Sequence, residues 1–241
     1  MNIIPPQINE QEALDDPKLP IELRKKYLTE LDRTNRVLGV YKTVIKEFFS
    51  FLKTQAPKNK TLKILEIGSG SGGLAREILR APPDHDFAIE YHIMDLDPEI
   101  LSWVVANHAS ENLTIHKHES KDAHLKQFQD NEFDFIICVQ VLHHIHPLAT
   151  VADMFNDVRR VAKQGFWMAD FERKFLNPLF FVVGNFAAST DPLLMEDGRK
   201  SLNRSYTLGE FQNAFGQQTH WVLRHKRFFW NPFLILMGHR N

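Results

Sequence analysis

Residues 64–77 read ILEIGSGSGGLARE, and this stretch decides the fold class. Apolar residues typical of a buried strand lead into a cluster of glycine and serine, and a helix-like segment follows. A glycine-rich turn between a strand and a helix lets a ligand approach the backbone, because glycine has no Cβ and accepts a sharp turn. The stretch therefore predicts a ligand site at the end of a strand in an α/β protein.

The chain beyond this turn alternates short strands with helices. Five strands are expected, over LKILEI, AIEYHIMDL, LTIHKH, FDFIICVQV and GFWMADF, and helices separate most of them. This alternation predicts a doubly wound, mostly parallel sheet with helices on both faces, in a Rossmann-like arrangement. Two later apolar stretches flank Asn231-Pro232, and they predict an antiparallel terminal hairpin at the edge of the sheet.

The residues before the first strand predict a separate cover. Residues 1–20 contain four prolines and should form an irregular arm, and two amphipathic helices should follow, divided at Gly39. We therefore expect an N-terminal arm and helical cover over 1–56 and an α/β domain over 57–241. Within that domain, an apolar helix and a polar loop over about 172–206 interrupt the alternation and should form a substrate or lid insertion.

The composition is that of an ordinary globular protein. The chain has 241 residues, 43% of them hydrophobic, and a formal net charge of −1, which disfavours a polyanion binder held by bulk charge. A single cysteine, Cys138, excludes an internal disulfide and a cysteine-based zinc cluster. The first residues lack the basic and apolar order of a signal peptide, and no apolar stretch reaches the roughly 20 residues of a membrane span. A cytoplasmic protein is therefore expected.

The glycine turn fits two kinds of ligand. The spacing Gly68-x-Gly70-x-x-Gly73 is the dinucleotide fingerprint, whereas Glu66 followed by Gly68, Gly70 and Gly72 is typical of S-adenosylmethionine sites. Glu66 discriminates between the two, because a carboxylate repels the pyrophosphate of NAD and attracts the ammonium and sulfonium groups of S-adenosylmethionine. The turn therefore favours S-adenosylmethionine.

Motifs further along the chain carry a family resemblance. Asp95 ends the second strand, Asp122-Ala123 lies one short connection before FDF, and the fourth strand closes in VLHHI. Together these motifs, over about residues 62–170, resemble the class I S-adenosylmethionine-dependent methyltransferases. In that family an acidic residue and a small residue after the third strand contact the adenine. The run HKHESKDA is slightly longer than usual there, so Glu119 is an alternative to Asp122 at the acidic position.

The resemblance implies a set of cofactor contacts. Glu66 would hold the methionine amino group, Asp95 would hold the ribose hydroxyls, and Leu96 would pack against the adenine. The remaining implied contacts are Gly68, Gly70 and Gly72 beneath the methionine part, Asp122 and Ala123 at the adenine, and Val139 and Gln140 near the reacting sulfur. The expected cofactor is therefore S-adenosyl-L-methionine, and the expected enzyme is a methyltransferase.

Histidines that follow the fourth strand are candidates for acting on the methyl acceptor. A hydroxyl acceptor benefits from a base, and histidine titrates near neutrality. We take His143 and His144 as equal candidates for the catalytic base, with a structural or cofactor-adjacent role of the LHH element as the alternative. The histidines lack the carboxylate spacing of a metal-dependent catechol methyltransferase, so no metal is implied.

The flanking segments resemble a subgroup of methyltransferases encoded beside polyketide synthases. The resemblance rests on LDRTNRVLG, which forms a helical cover there, and on MEDGRKSLNRSYTLGEF, in which Glu196 replaces a frequent histidine. The apolar run over 175–186 either lines an acceptor pocket or packs its helix onto the sheet. These features imply O-methylation of a small, largely apolar acceptor, a phenolic or polyketide-like hydroxyl, with the helical cover and a loop over 191–206 closing the site.

Two other functions remain open. From residue 199 onward seven basic residues face one acid, Glu210, and this local excess of positive charge makes an RNA or tRNA methyltransferase an alternative. A non-catalytic S-adenosylmethionine-binding regulator is the second alternative. The near-neutral chain and the absence of an attached RNA-binding motif disfavour nucleic acid as a partner. The patterns leave open the acceptor's identity, the choice between oxygen and carbon as the methylated atom, and the oligomeric state.

Overall fold

A seven-stranded sheet runs through the part of the chain that the structure describes. The computed structural model describes residues 5–16, 18–58, 60–81, 86–107, 113–117, 125–174, 191–228 and 232–241. The strands are β1 (Lys60–Ile67), β2 (Phe87–Asp95), β3 (Leu113–Lys117), β4 (Phe133–Val139), β5 (Ala162–Phe171), β6 (Trp221–Arg227) and β7 (Phe233–Arg240). Their order is β3-β2-β1-β4-β5-β7-β6; the first five are parallel, and β7 is antiparallel to β5 and β6. The predicted doubly wound sheet with an antiparallel terminal hairpin is confirmed.

Helices connect and cover these strands. Within the described residues they are α1 (Ile21–Val37), α2 (Val40–Gln55), α3 (Gly73–Arg80), α4 (Pro98–Asn107), α5 (Leu148–Val161), α6 (Pro192–Arg204) and α7 (Leu208–Phe215). Short 3-10 turns lie at Ala13–Asp15 and Leu142–His144. Across the described ranges, every helix falls short of the length and hydropathy that crossing a bilayer requires.

The central strands face an apolar core on each side of the sheet. On β5, Phe166 and Met168 lie in one core, and Trp167 and Ala169 lie in the other. Residues 133–138 of β4 are all buried, as expected for a central parallel strand that is covered on both faces. Because β1, β2 and β4 are neighbouring parallel strands, their carboxyl ends meet at one edge of the sheet, and the candidate site lies at this edge.

The two N-terminal helices are attached to the sheet in different ways. α2 packs directly on the sheet through aromatic side chains: Phe48 lies 5.8 Å from Trp167 and Phe51 lies 5.8 Å from Phe135, measured between ring centroids. α1 instead buries a mostly polar set of residues, namely Arg24, Leu28, Asp32, Thr34 and Asn35. The boundary that we predict after residue 56 stays a prediction, and α2 shares the apolar core of the sheet.

Residues 191–206 are mostly helical, and the prediction of a polar loop there is wrong. α6 begins at Pro192, and the side chain of Asp191 caps it by accepting the N–H of Leu193 at 2.9 Å. Proline is favourable in the first turn of a helix, and a helix tolerates one interior glycine such as Gly198, so these residues do not break α6. Residues 175–190 of the predicted insertion, including the apolar helix over 175–186, lie outside the described residues.

Candidate active site

The turn between β1 and α3 needs glycine at three positions. Gly68, Gly70 and Gly72 have φ angles of 71°, 51° and 70°, in the left-handed region that side chains disfavour. At Gly68 an added Cβ would also lie 2.3 Å from the side chain of Val141, so this turn is in close contact with the loop after β4. The predicted turn glycines are thus placed together beside the ends of β2 and β4.

Asp95 is held at the end of β2 by backbone donors. Its carboxylate accepts the N–H of Gly70 at 2.7 Å and the N–H of Asp97 at 3.1 Å. Burial raises the pKa of Asp95, and these two N–H groups oppose the rise. A carboxylate offers roughly four lone-pair sites, so further donors such as ribose hydroxyls can bind. Leu96 beside it is 54% exposed, which leaves an apolar surface next to the carboxylate.

Glu66 at the end of β1 is a buried carboxyl, and no basic side chain of the described residues pairs with it. Its Oε2 accepts the hydroxyl of Tyr91 at 3.1 Å. Burial raises the pKa of Glu66 to about 8, and the nearby carboxylates of Asp32 and Asp95 act in the same direction. A positive charge placed beside Glu66 would restore its ionised form. The site therefore favours an ammonium group over a pyrophosphate.

α1 closes the other side of the glycine turn through Asp32. This buried carboxylate accepts the hydroxyl of Ser71 at 2.7 Å, the guanidinium of Arg76 at 2.9 Å and the hydroxyl of Tyr41. Asp32 is not among the residues predicted from the sequence. A signal was available, because Asp32 follows Leu28 by one helical turn and so lies on the apolar face of α1.

The chain leaves β4 in a strained conformation. Gln140 has a φ of 57°, which is uncommon for a residue with a side chain and recurs at ligand sites. Its side-chain oxygen accepts the amide of Asn35 at 3.3 Å, and its backbone N–H donates to Ala169 at 2.8 Å. Val139 before it is half-buried. These contacts hold Gln140 between α1 and the ends of β4 and β5.

Two buried hydroxyl groups near this edge have no hydrogen-bond partner within the described part of the chain. They belong to Ser69, in the glycine turn, and to Thr34, on α1. A buried polar group without a partner costs about 1–3 kcal/mol, so such groups are commonly satisfied by a ligand or by water. Their positions are consistent with a polar ligand at the glycine turn.

Most of the predicted cofactor residues therefore lie at the ends of three neighbouring strands. Glu66 and the glycines follow β1, Asp95 and Leu96 follow β2, and Val139 and Gln140 follow β4. Asp122 and Ala123, together with the alternative Glu119, lie outside the described residues.

His143 and His144 lie side by side in the 3-10 turn after β4. His143 is buried, its Nδ1 lies 2.6 Å from Asp170 at the end of β5, and its backbone N–H donates to the same carboxylate. Nδ1 of His144 lies 2.9 Å from Asp15. A carboxylate facing Nδ1 favours a proton on that nitrogen. In the neutral rings, each Nε2 then carries a lone pair directed away from its aspartate.

Glu12 of the N-terminal arm faces both of these nitrogens. Its Oε1 lies 3.7 Å from Nε2 of His143 and its Oε2 lies 3.8 Å from Nε2 of His144, too far for hydrogen bonds. Burial raises the pKa of Glu12 to about 7, although His144 opposes the rise. Arg204 of α6 binds Asp15 and lies 3.5 Å from Glu12. Side chains from the arm and from the turn after β4 therefore converge on one point.

The two histidines are predicted from the sequence, whereas their acidic partners are not. Asp170 ends a buried parallel strand, a position that commonly faces a ligand, so it could have been recognised. Glu12 and Asp15 lie in the proline-rich arm, where no periodicity indicates which side chains turn inward.

Most of the basic residues after position 198 are paired with acids from other segments or from the adjoining turn. The pairs are Arg199 with Glu10 and Glu196, Lys200 with Asp197, Arg204 with Asp15, Lys226 with Glu47, and Arg227 with Glu172. The local excess of positive charge in the sequence is therefore largely offset in the fold, which weakens the case for a phosphate-binding face.

Comparison with known protein families agrees with this geometry. The family model described as a methyltransferase domain matches residues 64–165, from β1 to β5. Residues 64–165 are thus identified as a methyltransferase domain, and the fold is that of class I, S-adenosylmethionine-dependent methyltransferases. The cofactor of such a methyltransferase domain is S-adenosyl-L-methionine, so its choice over NAD is confirmed.

Known proteins similar to this methyltransferase domain include two curated relatives. Phosphoethanolamine N-methyltransferase 2 of Caenorhabditis elegans is 27% identical over 122 residues, which are 51% of this chain and 24% of that protein. Squalestatin tetraketide synthase clz2 of Cochliobolus lunatus is 28% identical over 119 residues, 47% of this chain and 5% of that protein. The chain thus matches only a small part of either relative's length.

A solved structure extends the similarity of fold beyond the methyltransferase domain. The S-adenosylmethionine-dependent methyltransferase from Aquifex aeolicus superimposes with a TM-score of 0.57 at 16% identity, over 90% of this chain and 98% of that one. The similarity at this identity concerns the fold.

The residues of the methyltransferase domain fit the cofactor's chemistry. The buried carboxyl of Glu66 matches an ammonium group, and Asp95 matches a pair of ribose hydroxyls. Ser69 adds a buried hydroxyl that has no partner within the described part of the chain.

Proposed function

We propose that this protein transfers a methyl group from S-adenosylmethionine to a hydroxyl of a small, largely apolar acceptor, a phenol or a polyketide-like compound. The observation that carries the proposal is the convergence of His143, His144 and Glu12 beside the end of β4. Methylation of a hydroxyl releases a proton, so a cluster of electron-pair donors next to the cofactor edge suits a hydroxyl acceptor. The match to a tetraketide synthase supports a polyketide-like substrate.

In this proposal the chain binds and aligns the cofactor. Glu66 binds the ammonium group, Asp95 binds the ribose hydroxyls, and Leu96 packs against the adenine. The other assigned contacts are Gly68, Gly70 and Gly72 beneath the methionine part, Asp122 and Ala123 at the adenine, and Val139 and Gln140 near the sulfur. The bound cofactor supplies a methyl group on a positively charged sulfur. Alignment of this group with the acceptor can contribute about 7–11 kcal/mol to lowering the barrier.

We assign His143 and His144 to activation of the acceptor hydroxyl. Asp170 and Asp15 face the Nδ1 atoms of the two rings and so fix their orientation. The Nε2 lone pairs then face the same point as the carboxylate of Glu12, and a hydroxyl beside this point is polarised by them. The apolar residues over 175–186, which lie outside the described part, are assigned to the acceptor pocket.

The alternative functions have less support. An RNA methyltransferase needs a free basic face, whereas most of the basic residues after position 198 are paired with acids. A non-catalytic regulator needs no cluster of histidines and carboxylates beside the cofactor edge. The proposal therefore names a small molecule as partner, and it includes a cytoplasmic location.

The proposal is tested by methyl transfer from labelled S-adenosylmethionine to phenols and polyketide-like compounds, with products identified by mass spectrometry. We expect methyl ethers, and His144→Ala and Asp170→Asn should lower kcat/KM by about 100-fold or more. Calorimetry with S-adenosylhomocysteine is the control, because both variants should keep their cofactor affinity. A C-methylated product, preferential methylation of tRNA, or cofactor binding without turnover of any acceptor would refute the proposal.

A further inference from the structure

The side chains of Glu12, His143 and His144 bring a carboxylate and two ring nitrogens together, with the guanidinium of Arg204 at one side, 3.5 Å from Oε1 of Glu12. The ligand atoms all lie within 4.8 Å of one another, and Glu12 and His143 are buried. The carboxylate is 3.7 Å from one ring nitrogen and 3.8 Å from the other, beyond hydrogen-bond length. Buried lone pairs that face each other are unfavourable unless a positive charge lies between them.

We propose that these three side chains form a binding site for a divalent transition-metal ion. Metal–ligand bonds of about 2.0–2.2 Å place the ligand atoms of a tetrahedral site about 3.3–3.6 Å apart. Oε1 of Glu12 lies 3.7 Å from one ring nitrogen and Oε2 lies 3.8 Å from the other, and one ligand atom from each of the three side chains lies within 4.8 Å of the other two. Binding of an ion would therefore require the three side chains to rotate towards it. The protein then supplies three ligands, and one position remains for water or an acceptor hydroxyl.

The surroundings of the cluster match those of known metal centres. Each histidine has a carboxylate at Nδ1, Asp170 for His143 and Asp15 for His144. Such partners orient a metal-binding imidazole and strengthen its Nε2 as a ligand.

The charge of the cluster also favours a divalent cation. Three carboxylates, those of Glu12, Asp15 and Asp170, are grouped around two histidines, and the guanidinium of Arg204 offsets one of them. Acidic groups therefore outnumber the basic side chain around this point, which favours a cation there.

The ligand types indicate which ion would bind. Two imidazole nitrogens and one carboxylate suit Zn²⁺ and Co²⁺, whereas Mg²⁺ and Ca²⁺ prefer sites made entirely of oxygen. The side chain of His144 is 28% exposed, so the site can be reached from solvent. The spacing of residues in the sequence implies no metal, because the carboxylate ligand comes from the distant N-terminal arm.

The metal site adds to the proposed function. Only the role of the ion in catalysis rests on that function. A bound ion would be held by His143, His144 and Glu12 and would polarise the acceptor hydroxyl, whose proton would then be released to solvent water. Binding of the ion itself requires no methyl acceptor, so it can be measured separately.

The test is binding of Zn²⁺ and Co²⁺ to the full-length protein after EDTA treatment, followed by calorimetry and by the visible absorption of Co²⁺. We expect one ion per chain, a Co²⁺ spectrum of low coordination number, and no response to Mg²⁺. Glu12→Gln and His144→Ala should each lower Zn²⁺ affinity by about 100-fold or more, and Asp170→Asn by about 10–100-fold. His225→Ala, on the exposed part of β6, is the matched control and should bind like the parent protein.

Circular dichroism and thermal unfolding show whether each variant is folded. Unchanged Zn²⁺ affinity in both Glu12→Gln and His144→Ala would overturn the metal site. The zinc would then be bound by others of the 12 histidines in the chain. Zinc binding that depends on Glu12, without methyl transfer to any acceptor, would support the site and refute the proposed function. Methyl transfer to a hydroxyl by a protein that binds no zinc would support the proposed function and refute the metal site.

Discussion

The carboxylate of Asp32 fastens α1 to the glycine turn, and its removal should weaken both the fold and the cofactor site. Asp32→Ala removes the acceptor of hydrogen bonds from Ser71, Arg76 and Tyr41. A hydrogen bond to a charged group contributes about 1.5–3 kcal/mol, and such bonds within one network are not additive. Loss of one partner from a buried charged network typically costs about 3–5 kcal/mol. We therefore expect the free energy of unfolding to fall by about 3–5 kcal/mol.

Gly73 offers a second way to disturb the same contact. A Cβ added at Gly73 would lie 2.1 Å from Oδ1 of Asp32, so Gly73→Ala must displace the carboxylate. We expect this substitution to lower the free energy of unfolding by about 1–3 kcal/mol. The double variant should be less destabilised than the sum of the two single variants by about 1 kcal/mol or more, because alanine at position 32 leaves room for the new methyl group.

Urea unfolding followed by circular dichroism measures these effects, and calorimetry with S-adenosylhomocysteine measures the cofactor site. Arg33→Ala is the control, because Arg33 lies on the exposed side of α1 and pairs with Glu30 at 3.0 Å. An exposed pair of this kind contributes about 0–1 kcal/mol. The reasoning would be refuted if Asp32→Ala unfolded like Arg33→Ala, or if the effects of Asp32→Ala and Gly73→Ala were fully additive.

Three further predictions concern the ends of β1, β2 and β4. The pKa of Glu66 is raised from 4.5 to about 8, so its contribution to the stability of the free protein is present below pH 4.5 and is lost as pH rises through 8. Between pH 5 and pH 8 the free energy of unfolding should therefore fall by at most about 1.4 kcal/mol per pH unit because of Glu66, and Glu66→Gln should reduce this fall in urea unfolding. Equal pH slopes for the parent protein and Glu66→Gln would contradict the effect of burial on Glu66. Asp95→Ala should weaken S-adenosylhomocysteine binding by about 1.5–3 kcal/mol in calorimetry, and unchanged affinity would exclude Asp95 as the ribose ligand. Gln140→Gly should be more stable than Gln140→Ala by about 1–2 kcal/mol in urea, because only glycine relieves the φ of 57°, and equal stabilities would argue against strain there.

The sheet and its ligand edge could be predicted because their signals are local. The buried strands read as short apolar runs, and the glycines of the turn need a backbone conformation that other residues disfavour. Thr207 and Glu210, three residues apart, form a capping box at the start of α7, and this too is a local pattern that the sequence alone displays. By contrast, the polar sequence of residues 191–206, which contains Pro192 and Gly198, predicts a loop where the structure has α6. The cap formed by Asp191 outweighs their effect.

The acidic partners of the site could not be predicted in the same way, because they depend on contacts between distant segments. Asp32 reaches Ser71 from another helix, and Glu12 reaches the two histidines from the N-terminal arm. A periodic pattern shows that a residue faces inward, but it does not show which residue it meets. The pairing of basic residues after position 198 was missed for the same reason, since several of their acids lie in other segments.

The N-terminal segment joins the cofactor edge to the histidine cluster. α1 supplies Asp32 to the glycine turn and Asn35 to Gln140, and the arm before it supplies Glu12 to the histidines. The arm is also bound to α6, since the N–H of Ala13 donates to Asp197 at 2.8 Å. Because one continuous stretch serves both places, its docking assembles the two parts of the site together.

The forces that hold this segment differ from those that hold α2. α1 and the arm combine polar contacts, such as those of Arg24 with Asp97 and Glu99, with one buried core residue, Leu28, whereas α2 is anchored by Phe48 and Phe51 in the apolar core. Separating polar contacts exchanges them for hydrogen bonds to water at a small net cost, while exposing two phenylalanines costs several kcal/mol. We therefore expect α1 and the arm, rather than α2, to move when the cofactor enters. Assembly of the histidine cluster would then be coupled to closure over the cofactor.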